Sequence, residues 1–456
     1  MGGHVEVQPL ESSAVLAFLL LDVAIVLIAA RLVGALFVRV GQPRVVGEIV
    51  AGVLLGPTLL GPQLWADFNA PSWMNCDRGL AGNPNAAALP SPTECFFPFQ
   101  ARSVLSSLGQ IGLLLFMFLV GLEFDSKRVT GKWRGIILVG AGVVAAPVAL
   151  GFVVAPMLSG EPFQASGASS LGFSLFVGSM LAVTAFPVLA RILQEKQMAT
   201  TLMGSVSIAA AALVTVLMFV TMAAASTIAT GGSASGLVVR ILATIAYLVV
   251  MLFVVPRVLP SMSAASTEPG SAGVFVSVLI LTLASGYAAQ QLGLTVIVGG
   301  FVVGIALSGW DGLRAAVARR LDELTAAVLL PIFLAYSGLT TDFTMLSGDA
   351  IGGILVFLAA GVVAKWAGGL VFGRLGGLSW SESNVVGILM NCRGLLVLVV
   401  ALVGIQNDVI TPVMQLGAVL MALITTGMTG PLFDAFHREA APAFAAAEPA
   451  PAEGTA

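Results

Sequence analysis

The sequence predicts an all-α polytopic membrane protein with thirteen transmembrane helices. Composition, a run of evenly spaced apolar segments and the sidedness of the basic residues carry that prediction. Of the 456 residues, 58% are hydrophobic and 9% charged, whereas soluble domains are roughly a quarter charged. Mean hydropathy is +1.02. The 52 glycines suit helices that pack closely in lipid. Two histidines and three cysteines leave no plausible metal or redox cluster. The net charge of −3 gives no indication of a nucleic-acid partner. No enzymatic activity, metal or cofactor is expected.

In chain order the apolar segments are 14–38, 44–61, 103–122, 135–158, 171–193, 203–230, 235–256, 272–292, 294–310, 322–340, 350–373, 383–405 and 411–433. The first follows Glu6 and Glu11 with no basic residue, so it reads as a retained helix rather than a signal peptide. Fourteen of the twenty Lys and Arg residues fall in or beside the loops after odd-numbered segments and in the tail: Arg39, Arg44, Lys127, Arg128, Lys132, Arg134, Arg191, Lys196, Arg257, Arg314, Arg319, Arg320, Arg374 and Arg438. The loops of the opposite face hold only Arg78 and Arg102. The positive-inside rule then sets the N-terminus outside the plasma membrane and the C-terminus in the cytoplasm. The long outer loop 62–102 contains Cys76 and Cys95, disulfide candidates because that side permits oxidation. The tail 434–456 is rich in Ala, Pro and Glu and is expected to be disordered.

The remaining basic residues, Arg31, Arg240, Lys365 and Arg393, lie within segments. Segment 5 carries SMLAVTAFPVLARIL at 179–193, with Pro187 just after Thr184-Ala185-Phe186. Proline removes a backbone N–H and clashes with the preceding turn. Freed carbonyls cannot face lipid, and the Thr184 hydroxyl is at hand to bond where backbone goes unpaired. Segment 12 has Asn391, Cys392, Arg393 and Gly394 near its centre. If segments 1–6 and 8–13 are copies of one unit, the single linker segment 7 makes them inverted. Interrupted helices at matching places in inverted halves point to a transport site.

Six stretches in order, PRVVGEIVAGVLLGPTLLG (43–61), LLLFMFLVGLEFD (113–125), TAFPVLARIL (184–193), LLPIFLAYSGLTTD (329–342), MNCRGL (390–395) and LMALITTGMTGPL (420–432), resemble the monovalent cation:proton antiporter family, the branch holding bacterial sodium/proton exchangers and potassium-efflux antiporters. The resemblance implies one transporter domain over 1–433, two inverted six-helix repeats with crossed broken helices, and a homodimer. It implies a dimerisation part of segments 1–3 and 8–10, and a core part of segments 4–6 and 11–13 that moves in an elevator-like way. Segment 3 could belong to either part. The implied function is secondary active exchange of sodium or potassium for protons.

The sequence departs from the family where the chemistry is expected. The family's segment 6 carboxylates fall on Val214 and Thr215, and no Asp or Glu occurs between Glu195 and Glu268. Val397 stands where the family often has a glutamate on segment 12. The family's segment 11 lysine is matched by Lys365, without its usual acidic partner. A buried carboxylate can hold a proton or a cation in turn, whereas valine does neither and threonine offers one neutral oxygen. The expected pathway residues are therefore Thr184, Pro187, Thr215, Lys365, Asn391, Arg393 and Glu123. Glu123 leads the remaining acids, ahead of Asp125, Asp22 and Glu48. Two rival readings stand beside cation exchange: proton-coupled export of an organic compound, with an anion among the candidates, and a transport-inactive sensor or partner subunit.

Overall fold

A helix satisfies every backbone group within one segment, which is why apolar runs of this length fold as helices in lipid. In the computed structural model the described residues are 10–61, 64–65, 92–122, 133–195, 198, 202–229, 234–257, 272–292, 294–394 and 396–447. Among them, helical elements occupy all thirteen expected segments. They are α1 (Ser12–Arg39), α2 (Arg44–Leu55), α3 (Phe99–Leu122), α4 (Trp133–Val154), α5a (Ser170–Ala182) with α5b (Phe186–Glu195), α6 (Leu202–Ala229) and α7 (Ala234–Val249). After these come α8 (Ala272–Gln291), α9 (Val296–Leu307), α10 (Asp311–Leu339), α11 (Gly348–Leu375), α12a (Trp380–Met390) with α12b (Leu396–Gln406), and α13 (Pro412–Ala447). Seven helices among the described residues are long and apolar enough to cross a membrane. The half-helices of α5 and α12 are each too short to cross alone.

The helices pack as two groups. In the first, α1 lies on α2 and α3, α2 on α10, α3 on α9 and α10, and α8 on α9. In the second, α4 lies on α5a, α6 and α11, α11 on α12a and α13, and α6 on both halves of α5 and α12. The pairings of the first six helices recur in the last six: α1–α2 as α8–α9, α4–α5a as α11–α12a, and α5a–α6 as α12a–α13. A five-residue π turn extends α7 over Val250–Val254, and through it α7 reaches α9 while its own helix touches α6.

Close approach sets the first group. A Cβ on Gly52 would fall on the Ala335 carbonyl, and one on Gly338 would fall on the Ile49 carbonyl. α2 and α10 therefore touch backbone to backbone, as small residues allow in membranes. Overpacking of this kind costs about 1–3 kcal/mol and can cost more when backbone must move. Gly52→Val is expected to lower the detergent melting temperature measurably. Gly348→Ala, where an added Cβ meets nothing within 4 Å, should leave it unchanged.

The boundaries differ from expectation in identifiable ways. Segment 44–61 ends as a helix at Leu55, because Gly56 is extended and Pro57 starts a separate short turn, Pro57–Leu60. α10 begins at Asp311, inside what reads as a loop, and its exit into the apolar part is a π turn at Thr325–Leu329 just before Pro331. Such turns re-register carbonyls that a proline leaves unpaired. α13 continues as helix to Ala447, past the point where a disordered tail was expected from 434. The alanine-rich sequence there has high helix propensity.

The loops at one end of the second group are stitched together. Gln164 and Ile410 form an antiparallel bridge. Ala165 N donates to the Val409 carbonyl at 3.1 Å and Thr411 N to the Phe163 carbonyl at 3.0 Å. The α4–α5a loop is thereby tied to the α12b–α13 loop.

Candidate functional site

The two broken helices cross at their breaks. Pro187 is the second residue of α5b, a first-turn position where its missing N–H is no loss, so it opens a new half-helix rather than kinking a continuous one. α5a ends at Ala182, and residues 183–185 lead across as non-helical chain. On the other strand of the crossing, α12a ends at Met390 with Asn391 as its C-cap, and Gly394 takes a left-handed φ of 42°. A Cβ at Gly394 would meet the Ala185 side chain, so glycine both permits the turn and lets the chains touch. The crossing strands bond to each other. Ala185 N donates to the Cys392 carbonyl at 2.7 Å, and the Thr184 hydroxyl donates to the Met390 carbonyl at 3.0 Å. The Gly394 N–H donates to Thr426 Oγ1 of α13 at 3.2 Å.

Two buried cations occupy the carbonyl-rich side of this crossing. The Lys365 ammonium on α11 donates to the Val143 carbonyl of α4 at 2.9 Å and to the Ala182 carbonyl. Arg393 donates to the Met180 carbonyl at 3.3 Å, to the Gly361 carbonyl of α11, and to the Met421 sulfur. Both side chains are fully buried. Met180 and Ala182 are in the last turn of α5a, where carbonyls lack intrahelical partners and the helix dipole is negative. The counter-charge for both cations is thus a helix end, not a carboxylate. Charge-assisted bonds to it are stronger than neutral ones.

Neutral oxygens complete the setting. Asn391 Nδ2 donates to the Val362 carbonyl, one turn before Lys365, at 3.1 Å. Its Oδ1 is buried without a partner, as is the Ser179 hydroxyl on α5a. Val214 and Thr215 are buried on α6, and the Thr215 hydroxyl donates to Ala211 of its own helix at 2.9 Å. Val397 is fully buried as the second residue of α12b. The crossing therefore unites Thr184, Lys365, Asn391 and Arg393. Sequence reading missed Ser179 and the carbonyls of Val143 and Ala182. Ser179 was visible within the segment 5 stretch, and the free Val143 carbonyl was marked by Pro147, which removes the N–H four residues on that would otherwise bond it.

Other expected residues lie elsewhere. Glu123, Asp125 and Cys76 are outside the described residues. Cys95 is disulfide-bonded, and Cys392, beside Arg393, is a free buried thiol. Asp22 is fully buried in α1, and neither carboxylate oxygen has a hydrogen-bond partner; Arg102 of α3 is within electrostatic reach. Glu48 is buried in α2. Among the described residues no group of three His, Cys, Asp or Glu could hold a metal ion.

A cavity of about 260 Å³ separates the two helix groups, lined by α3, α8, α9 and α10 on one side and by α6 and α12b on the other. Its polar lining is Gln110, Gln290, Thr295, Gln406 and Asn407, and none of the described residues lining it is charged. Gln290 and Gln406 are exposed, so the cavity reaches solvent. Val399, three residues into α12b from the crossing, lines it as well.

Comparison with known proteins places these features. A family model described as "Sodium/hydrogen exchanger, transmembrane" matches residues 24–436. The Na(+)/H(+) antiporter NhaS4 of Synechocystis sp. is 31% identical over 422 residues, covering 91% of this chain and 96% of that protein. Cation/H(+) antiporter 18 of Arabidopsis thaliana is 31% identical over 438 residues, and K(+)/H(+) antiporter 1 of Saccharomyces cerevisiae is 27% identical over 431 residues. This chain spans about half the length of those two, 49% and 46% respectively. The solved structure of a sodium proton antiporter from Methanocaldococcus jannaschii shares the fold. Its TM-score is 0.64 at 15% identity, over 95% of this chain and 99% of that one.

Proposed function

Because the chain belongs to the sodium/hydrogen exchanger transmembrane family, we propose that it exchanges a monovalent cation, sodium or potassium, for protons, with the Lys365 ammonium in the role a carboxylate would otherwise fill. The observation that carries this reading is the pair of bonds from Lys365 to the Val143 and Ala182 carbonyls. A hard monovalent cation wants oxygen ligands. While Lys365 is protonated, its ammonium occupies these carbonyls. When the proton leaves, the amine has no charge to hold it there, and the carbonyls become available to a cation. Asn391 Oδ1 and the Ser179 hydroxyl, both without partners, can add ligands.

The site then holds either the ammonium proton or the cation, one positive charge in both states. One proton exchanges for one cation, without net charge movement. Arg393 cannot take this role, because guanidinium stays protonated in proteins; it keeps the α5a end neutralised throughout. The wider arrangement fits the same reading. The second helix group, carrying the crossing, moves against the first, which forms the homodimer. The repeats are inverted, with the N-terminus outside and the C-terminus in the cytoplasm.

The test is a proteoliposome assay with an enclosed pH-sensitive dye, titrated with sodium, potassium and lithium. Proton movement evoked by sodium or potassium, with no membrane potential generated, is the expected result. Silence with all three cations overturns exchange and favours export of an organic compound or a role without transport.

A further inference from the structure

We infer that one end of the second helix group carries a binding site for an anionic phospholipid headgroup, built from Trp133 and Arg134 of α4 and from Arg374 of α11 stacked on Trp380 of α12a. The site is on the surface of the group, so it stands whether or not the crossing inside exchanges cations.

The fold brings these residues to one point. α4 begins at Trp133, α11 ends at Leu375 and α12a begins at Trp380. A Cβ on Gly376 would lie 3.1 Å from the Gly135 Cα, and one on Gly135 would lie 3.3 Å from the Gly376 carbonyl oxygen. The start of α4 and the end of α11 thus touch backbone to backbone, as small residues allow. The chain then reverses through Gly377, whose φ is 95°, and re-enters as α12a. The Arg374 guanidinium is 5.8 Å from the centre of the Trp380 ring, within the range of cation–π attraction. One of its terminal nitrogens donates to the Leu378 carbonyl at 3.0 Å. Arg374 is therefore held in place although it is exposed. Trp133, Arg134 and Trp380 are exposed beside it.

The chemistry selects the occupant. Tryptophan settles where hydrocarbon meets headgroups. The planar guanidinium of arginine takes phosphate oxygens in pairs. Ile137, one turn inside Trp133, is exposed and apolar, as are Val371 and Leu375 at the end of α11. A ligand with both a phosphate and acyl chains fits both halves of this surface, whereas free phosphate fits one. An acidic side chain, Glu382, follows Trp380 closely. Its carboxylate accepts from the Ser379 N–H at 2.7 Å as half of a capping box. That charge is turned to the start of α12a, and the two arginines outweigh it. By the alternation of basic residues this end faces the cytoplasm, where the leaflet carries anionic lipid. Lys365 is on α11 as well, about 14 Å from Arg374 along the helix axis. The site thus ties one leaflet to the helix that supplies the buried ammonium.

The experiment reads lipid binding directly. Trp65, Trp73, Trp310 and Trp366 are replaced by phenylalanine, which leaves Trp133 and Trp380 as the emitters. The full chain is reconstituted in brominated phosphatidylcholine, which quenches both. Unbrominated phosphatidylglycerol or phosphatidylcholine is then titrated in. Phosphatidylglycerol should relieve the quenching about tenfold more effectively, since each basic residue at an anionic surface counts for about fivefold. Arg134→Gln with Arg374→Gln should bring the two lipids to within about twofold of each other. Arg134→Lys with Arg374→Lys keeps both charges and should retain most of the preference. Arg39→Gln, at the exposed end of α1 in the first group, should leave it unchanged. Should the four-phenylalanine protein not fold, the same comparison is made on the protein with its native tryptophans, by mass spectrometry of the lipid it retains.

Equal relief by the two lipids, or an unchanged preference in Arg134→Gln with Arg374→Gln, overturns the site. An equal loss in Arg39→Gln also overturns it, because general surface charge would then account for the binding. Loss of the preference on adding inorganic phosphate at a concentration matching the lipid overturns the phospholipid as occupant.

Discussion

Lys365→Gln should abolish cation-evoked proton movement in proteoliposomes while leaving a folded protein. Glutamine keeps an N–H donor for the Val143 or Ala182 carbonyl, so the broken-helix end is not left bare. It has no proton to release and no charge to exchange with a cation. The expected loss of exchange is at least a hundredfold. The change in folding stability should be about 1–2 kcal/mol, the scale of one charge-assisted bond weakened to a neutral one. Lys365→Arg separates charge from titration: it keeps a cation that cannot deprotonate, and it should be equally inactive. Exchange surviving above a tenth of the native rate in Lys365→Gln would remove Lys365 as the proton carrier. Glu123 would then be the next group to test, by Glu123→Gln in the same assay.

Arg393→Met should act on the fold rather than on exchange alone. The arginine bonds the Met180 and Gly361 carbonyls from a fully buried position. Methionine fills much of the volume but donates nothing. Each buried carbonyl left without a partner costs about 1–3 kcal/mol, and lipid offers no substitute donor. The Met180 carbonyl, in the last turn of α5a, is the one left unpaired, since the Gly361 carbonyl lies inside α11, and one such loss is a sizeable fraction of a typical stability of about 5–15 kcal/mol. The expected result is a lowered melting temperature in detergent and little monodisperse protein on gel filtration. Arg393→Lys, which restores one donor group, should recover part of it. A melting temperature equal to the native one in Arg393→Met would show that the α5a end is satisfied some other way.

The sequence made the helices legible because their causes are local. Apolar length marks a span, loop arginines mark a side, and Pro187 and Gly394 mark the breaks. Against the family it resembles, it sets Val214, Thr215 and Val397 where carboxylates are expected. It could not show which groups the fold brings beside Lys365. Lys365 reads as a lysine without a partner, since the usual acid on segment 6 is absent. In the fold its partners are two freed carbonyls, Val143 of α4 opposite Pro147 and Ala182 at the end of α5a, which meet only through tertiary packing. Thr215 reads as a replacement ligand, yet its hydroxyl is turned to the backbone of its own helix. Ser179 is one more polar residue in an apolar run until the break places it beside the exposed end of α5a. The cavity was invisible for a different reason, because its amides come from three separate helices and meet only through tertiary packing. Boundaries went astray where local propensity competed with composition, as in the alanine-rich continuation of α13.

The stitched loops at 163–165 and 409–411 bear on how force would travel through this molecule. Backbone bonds across two loops make a stiff strut between the hairpin containing α5a and the one containing α12b. A push on either hairpin would be delivered to both, so the crossing they share would not need to shear if the second helix group shifted as proposed above. The strut is on the face where the cavity opens, so bending would fall to the opposite end, where the α11–α12a connection turns at Gly376 and Gly377. Compliance on one face and stiffness on the other would turn a sliding displacement into a tilt.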